Sequence, residues 1–423
     1  MQPARTFAVA AGLLVPTLWL LPALAGAGGQ PAWKSTASVS ARESYDSNVF
    51  LQDTAPGTTV AGAAQPREGS LVSTVSASIS FGRKLGPTVE FSASYAPEAT
   101  WYQSAASENN VTHRTTLGLT GTDGATTWSL TNALTWIDGS RDGPIFGCTG
   151  GVPAVGGIPL RDRRAAFVLR SGFKLTHTMG RWFLRPVATL YVHDFHTRQS
   201  RAAGYENYIS RQEWIGGVDA GYRVAPKTFL VAEFRYGRQD QFRLFGVDSP
   251  YDSRIRRFLA GFESAPATWL QVAVLGGPET RTFAPGTPAG FDRHKVLLWM
   301  DASVKVTPDK RDACTLAIRR YEQPAFSSQS MYQDTTYEIS WRRAVTDRLA
   351  ATAGFKAYNG GWQAPVVRND WIFTPSVTLQ YAVSRQCGVE LGTSFDRAKS
   401  EVPSTPGREY RRQIGYASAK WTF

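Results

Sequence analysis

Residues 182–193 read Trp-Phe-Leu-Arg-Pro-Val-Ala-Thr-Leu-Tyr-Val-His, and two interleaved series within them decide the fold. Trp182, Leu184, Pro186, Ala188, Leu190 and Val192 form an apolar series, with Arg185, Thr189, Tyr191 and His193 between them. Successive side chains of a strand point to opposite faces, so this period of two places one series on an apolar surface and the other on a wet one. The same alternation returns in 74–81, 89–95, 296–306 and 349–357. In Trp371, Phe373, Val377, Leu379 and Tyr381 the apolar series is bounded by aromatic residues, as two membrane–water interfaces select.

Connections alternate between short and long. Short turns fall near 84–87, 121–124, 178–180, 225–227, 265–267, 307–310, 345–347 and 383–385. Between them lie polar stretches rich in Gly, Pro, Asn, Asp and Ser, near 45–69, 102–111, 138–163, 195–207, 241–253, 277–293, 322–333, 360–370 and 398–409. One strand on each side of every long stretch predicts an all-β fold, a transmembrane antiparallel β-barrel of about eighteen strands with both termini on the short-turn, periplasmic side. The barrel is expected over 26–423. Residues 1–25 read as a signal peptide: Arg5 is the charged start, Phe7 to Leu21 the apolar run, and Ala23 and Ala25 the small-residue cleavage pattern.

Composition agrees. Aromatic residues make up 12% of the 423 residues, too many for a disordered chain. Three Cys and no CxxC spacing exclude a disulfide scaffold and structural zinc. No run of eighteen apolar residues follows residue 26, so a spanning chain must be a closed barrel. The net charge of +12 points to anionic partners, but the basic residues are dispersed and the compartment is wrong for nucleic acid.

Tyr45-Asp46-Ser47-Asn48-Val49-Phe50 resembles the YDSNVF-type signature near the mature amino terminus of a family of Gram-negative outer-membrane β-barrel porins. The resemblance implies an outer-membrane channel, and some members of that group are encoded with exopolysaccharide systems. Read from the residues alone, Asp46, Ser47 and Asn48 form a turn opening the first loop. The last strand, Ala417 to Phe423, ends in an aromatic residue and resembles the signal read by the barrel-assembly machinery, making Phe423 its expected contact.

The series opposite the apolar one gives the expected pore lumen. Arg170, Lys174, Arg185, Arg223, Arg235, Arg257, Lys305, Arg342, Arg348, Lys356 and Lys420 are its bases, and Glu90, Glu213, Asp219, Glu233, Glu263, Asp301, Glu338, Glu390 and Asp396 its acids. Such a mixed wall supports cross-strand ion pairing and a wet permeation path. Rim cations, Arg254 and Arg256 among them, are expected to meet outer-membrane lipid and lipopolysaccharide. The stretch 138–163 is expected to fold inward as a constriction loop, held by Arg141, Asp142, Arg161 and Asp162 and favouring anions through Arg141 and Arg161.

Chemistry is sparse. His193 and His196 are the one His cluster, yet on a strand they point to opposite faces, and no motif nominates a nucleophilic Ser. Cys314 and Cys387 fall on strands that are not neighbours, and Cys148 lies in a Gly-rich loop. Neither metal nor cofactor is expected. Two features fit badly: Asn132 stands in the apolar series of Trp128, Leu130, Leu134 and Trp136, implying a bulge or a misplaced boundary, and Pro186 and Pro375 imply edges or bulges. The expected function is passive passage of small hydrophilic solutes, anions among them. The alternatives are exopolysaccharide export, an outer-membrane hydrolase and a purely structural barrel.

Overall fold

The computed structural model describes residues 33–52, 58–59, 62–63, 67–141, 158–197, 208–242, 249–324, 331–364, 367–401 and 409–423. The expected signal segment, Asp142 and Cys148 lie outside them.

Among the described residues eighteen long strands form one antiparallel sheet. They are β1 Lys34–Asp46, β2 Ser70–Lys84, β3 Val89–Tyr102, β4 Asn110–Asp123, β5 Thr126–Asp138, β6 Ala166–Met179, β7 Trp182–Phe195, β8 Arg211–Ala225 and β9 Thr228–Gln241. The sheet continues through β10 Ser253–Ala267, β11 Leu270–Phe283, β12 His294–Val306, β13 Asp312–Pro324, β14 Met331–Ala344, β15 Leu349–Trp362, β16 Arg368–Ala382, β17 Cys387–Ser400 and β18 Tyr410–Thr422. β1 pairs with β2 from Lys34↔Gly82 to Asp46↔Ser70, and with β18 from Ser38↔Thr422 to Asp46↔Ile414. That second pairing closes the ring, so every strand has a hydrogen-bonded neighbour on both sides.

The alternation explains the faces. Leu184, Leu298 and Leu391 on the outward series are about half exposed, because nothing in the protein covers them. Aromatic residues mark both ends of this belt: Phe81, Trp182, Trp269, Trp341, Tyr381 and Trp421 toward the short turns, Tyr45, Trp101, Trp136, Trp214 and Tyr236 toward the long loops. Hydrocarbon is the solvent such a belt fits. Cys314 and Cys387, on the non-adjacent strands β13 and β17, are both free thiols.

The hairpins close tightly at the short-turn end. Gly124 and Gly180 carry φ of 55° and 64° in the β4–β5 and β6–β7 turns, where a side chain would be strained. In the β12–β13 turn the Asp309 carboxylate accepts hydrogen bonds from the backbone N–H of Asp312 at 2.8 Å and Arg311 at 2.7 Å, which hold its carboxyl below the ordinary range.

Prolines interrupt the ladders without disturbing register. Pro97, Pro186, Pro278 and Pro375 all stand on the outward series. Each lacks the N–H that one neighbour requires, so pairing skips there: between Ser76↔Glu98 and Ile79↔Tyr95, Lys174↔Val187 and His177↔Leu184, Arg257↔Glu279 and Ala260↔Gly276, Phe373↔Arg397 and Ser376↔Ser394. Pairing resumes in the same register each time, so Pro186 and Pro375 are neither edges nor bulges. The boundary expected at 277 is also corrected. Gly276-Gly277-Pro278 continues β11 to Phe283, and a Cβ on Gly277 would collide with the Phe258 carbonyl of β10.

Asn132 needs no bulge either. The β4–β5 and β5–β6 registers run through it unbroken. It faces outward but is buried, and its Oδ1 accepts a 2.6 Å hydrogen bond from Ser171 Oγ directly across the β5–β6 ladder. Pairing offsets the cost of an amide on a lipid-facing wall. We expect Asn132→Leu alone to cost about 1 kcal/mol by orphaning Ser171, while Asn132→Leu with Ser171→Ala is close to neutral. Urea unfolding of the refolded barrel distinguishes them; equal losses would show that the bond contributes nothing.

Candidate functional site

Parity fixes which side chains face the lumen. Arg170 and Lys174 on β6, Arg185 on β7, Asp219 and Arg223 on β8, and Glu233 and Arg235 on β9 all occupy inward positions. So do Asp301 and Lys305 on β12, Glu338 and Arg342 on β14, Lys356 on β15 and Glu390 on β17. Arg348 lies just before β15, in the turn, at the short-turn mouth.

On one wall these charges neutralise one another. Asp219 is only 2% exposed. Arg185 Nε reaches its Oδ2 at 2.6 Å and Arg235 Nη1 its Oδ1 at 2.5 Å. Arg185 also meets Glu263 at 2.6 Å, and Arg235 meets Glu233 at 2.9 Å. A buried carboxylate without such partners would be costly. Higher on the same wall Glu279 is fully buried between Arg257 at 2.5 Å and Arg281 at 3.1 Å, and Arg281 Nη1 donates to Gln239 at 3.0 Å. Lys295 and Arg281 also face Glu322, at 3.3 and 3.7 Å. Glu279, Arg281 and Glu322 fall in 277–293 and 322–333, stretches whose Gly, Pro and polar residues read as loops, so the period of two does not assign them to the wall. Glu322 reaches this group where β13 leaves β12: their pairing ends at Met300↔Arg320, while β13 and β14 stay paired to Pro324↔Met331.

The other wall is lined by hydroxyls. Ser38 and Ser78 are joined at 2.8 Å, Ser40 and Ser76 at 2.7 Å, and Thr74 and Thr100 at 3.4 Å. A cavity of about 420 Å³ opens at the short-turn mouth beside Arg342, Arg348 and Lys420. A second, of about 400 Å³, lies further up beside Arg42, Thr74, Glu98 and Arg412, and the two share Ser40, Glu390 and Ser418. At their junction the Arg42 guanidinium lies 3.7 Å from the Tyr416 ring, and Tyr416 donates to Glu390 at 2.6 Å.

The outer end is filled. Asp46 accepts two hydrogen bonds from Arg412, at 2.9 and 2.7 Å, joining β1 to β18. Asn48 then turns the chain inward: its Nδ2 donates to the carbonyls of Gln52 at 2.7 Å and Arg411 at 3.0 Å, and its Oδ1 accepts from Gln52 N–H at 2.9 Å. The expected turn is therefore present, but it delivers Val49, Phe50 and Leu51 into the barrel, all but fully buried against Leu160, Tyr332, Tyr358, Trp362 and Tyr410. Leu51 takes φ 55°, a left-handed strain of about 1 kcal/mol or more that this packing must offset.

The expected constriction loop contributes at its described end. A short helix, Ile158–Arg161, buries Leu160 in the same cluster. Arg163 pairs with the buried Glu108 at 2.7 Å and donates to the Val49 carbonyl at 2.7 Å, and Arg164 also pairs with Glu108. Arg141 is exposed, and Arg161 pairs with Asp162 at 2.8 Å. The first long loop thus shares the mouth with the third. Burial pushes the nearby Tyr208 phenol up to about 12.

Beside this cluster lie cations that are not neutralised. The guanidiniums of Arg170 and Arg211 stand 5.3 and 5.0 Å from the Tyr191 ring. Arg161, Arg211 and His193 border one small cleft with Tyr332. Among the described residues Arg170 and Arg211 have no ion pair; Glu213, opposite Tyr191, is the adjacent acid on the wall. His193 faces inward, 3.0 Å from the Tyr191 hydroxyl, while His196 meets outward Trp136 edge to face at 5.2 Å, so the two share no ligand position.

No family model and no curated protein matches the chain. Solved structures do. OccK1 (OpdK) of Pseudomonas aeruginosa has 9% identity and a TM-score of 0.46, covering 92% of this chain and 99% of its own. OccAB4 of Acinetobacter baumannii has 12% identity and a TM-score of 0.44, covering 93% and 99%. The siderophore receptor PirA of Pseudomonas aeruginosa has 8% identity and a TM-score of 0.41, covering 93% and 81%. At these values the likeness is one of form only.

Proposed function

We propose that this barrel is an outer-membrane channel for passive passage of small hydrophilic solutes, sealed at its outer mouth in the state described above. The observation that carries the reading is the pair of adjoining cavities that share Ser40, Glu390 and Ser418 and run from the short-turn mouth to the Asp46–Arg412 bridge, the upper one lined mainly by polar groups. Hydroxyls replace the water of a solute without holding it tightly, so passage needs no catalytic residue. The short-turn end faces the periplasm, and the long loops face outward. The Tyr45–Phe50 resemblance to the porin family belongs to the same reading, and Phe423, exposed on the outward series, is the side chain offered to the assembly machinery.

Single-channel recording of the refolded protein tests this directly: discrete conductance steps are expected, and a folded barrel that never conducts would leave the structural reading. Protease added to intact cells should cut in the long loops; cutting at 225–228 or 307–310 would reverse the orientation. The cations around Tyr191 favour anions at the outer mouth. Arg170→Glu with Arg211→Glu is expected to move the reversal potential toward cations, and an unmoved potential would show that the path bypasses this cluster.

A further inference from the structure

We propose that two outward-facing arginine pairs at the long-loop rim each bind the phosphate of a lipid headgroup. On β9 and β10, Arg238 and Arg254 are direct register partners on the outward face, and Arg256 follows Arg254 on the same face. On β17 and β18, Arg397 and Arg411 are direct partners, with Lys399 following Arg397. All six cations are exposed.

Like charges directly opposite each other on one sheet face repel. In the lumen the direct partners Arg235 and Arg257 are each paired to carboxylates, Arg235 to Asp219 and Glu233 and Arg257 to Glu279; the rim pairs are not so matched. Arg238 takes Asp240 at 2.5 Å and Lys399 takes Glu409 at 2.9 Å, but among the described residues Arg254, Arg256, Arg397 and Arg411 have no carboxylate within salt-bridge reach. The β9–β10 cluster has three cations against Asp240, the β17–β18 cluster three against Glu409 and Glu401, and the two stand on nearly opposite sides of the ring.

Their depth says what supplies the missing charge. Tyr236 and Phe258 lie two positions below Arg238 and Arg256, and Phe395 two positions below Arg397, all exposed. Two strand residues span roughly 7 Å, so the guanidiniums sit just above the aromatic fringe, at the level of headgroup phosphates. A phosphate bridging two guanidiniums accepts several charge-assisted hydrogen bonds and removes the repulsion. A free phosphate at so exposed a site would gain little. A lipid also lays its acyl chains on Phe234 and Phe258, or on Phe373 and Phe395, and that apolar contact commits the site to lipid.

Trp214 is the register partner of Arg238 and Trp371 that of Lys399, which places one tryptophan beside each cluster. Dibrominated phosphatidic acid and dibrominated phosphatidylcholine, each titrated into phosphatidylcholine vesicles holding the refolded barrel, should quench tryptophan unequally, phosphatidic acid reaching the same quenching at a several-fold lower mole fraction. Arg254→Gln with Arg256→Gln, and Arg397→Gln with Arg411→Gln, should each remove part of that preference, and the corresponding Lys variants should keep most of it. Equal quenching by the two lipids, or a preference unchanged in both folded Gln variants, would overturn the proposal. Loss of the preference on adding inorganic phosphate, but not chloride of equal ionic strength, would overturn the lipid assignment in favour of the free ion.

Discussion

Asp219→Ala is expected to destabilise the barrel by about 3 kcal/mol, the lower end of what removing one member of a buried ion pair costs. The carboxylate is buried and receives guanidinium nitrogens from two neighbouring strands, Arg185 of β7 and Arg235 of β9. Removing it leaves both cations on the wall, each with one remaining acid, Glu263 or Glu233. Glu263→Gln is the comparison: that side chain is 35% exposed and Arg185 keeps Asp219, so the loss should be below about 1 kcal/mol. Urea unfolding of the two refolded variants measures the difference. Equal losses would mean that Asp219 is not the centre of this network.

Phe50→Ala is expected to open the outer mouth. Removing a buried Phe side chain costs about 3–5 kcal/mol where the site cannot collapse, and Phe50 packs within the cluster that closes the lumen. If mouth packing sets the balance between closed and open, a loss of that size multiplies the open fraction by about 100 or more. Single-channel records should show openings that are longer and far more frequent, and Phe50→Leu should restore much of the closed state. A folded Phe50→Ala barrel with wild-type opening would remove the first loop from the gate and leave the described end of the third as the remaining seal.

Much of the wall is legible in the sequence because a period of two is imposed by geometry alone. Once Leu184, Ala188 and Leu190 are outward, Arg185 is inward, and the same step assigns Asp219, Arg235 and Lys356. The short turns are legible for a related reason: Gly124 and Gly180 supply conformations that other residues reach only under strain. What a window of ten residues cannot contain is the identity of partners on other strands. Arg185 meets Glu263 across two intervening strand positions in the sheet, a relation set by curvature and stagger. Val49-Phe50-Leu51 is too short a run to show a period, so its burial depends on Asn48 and on walls far along the chain. Gly276-Gly277-Pro278 carries every local mark of a turn, and the close approach of β10 keeps it in a strand.

The parting of β12 from β13 has a mechanical meaning. These strands share seven register pairs, from Met300↔Arg320 to Val306↔Cys314, where β13 and β14 share thirteen. A closed ring distributes load evenly only if its seams are equal. Here the outer half of one seam is held by side chains, Lys295 and Arg281 on Glu322, instead of backbone bonds. Side-chain contacts can exchange partners one at a time, whereas a ladder yields only as a unit. The cylinder therefore has a hinge line running partway down its wall, and that line, not the ring as a whole, sets how far the outer rim can flex.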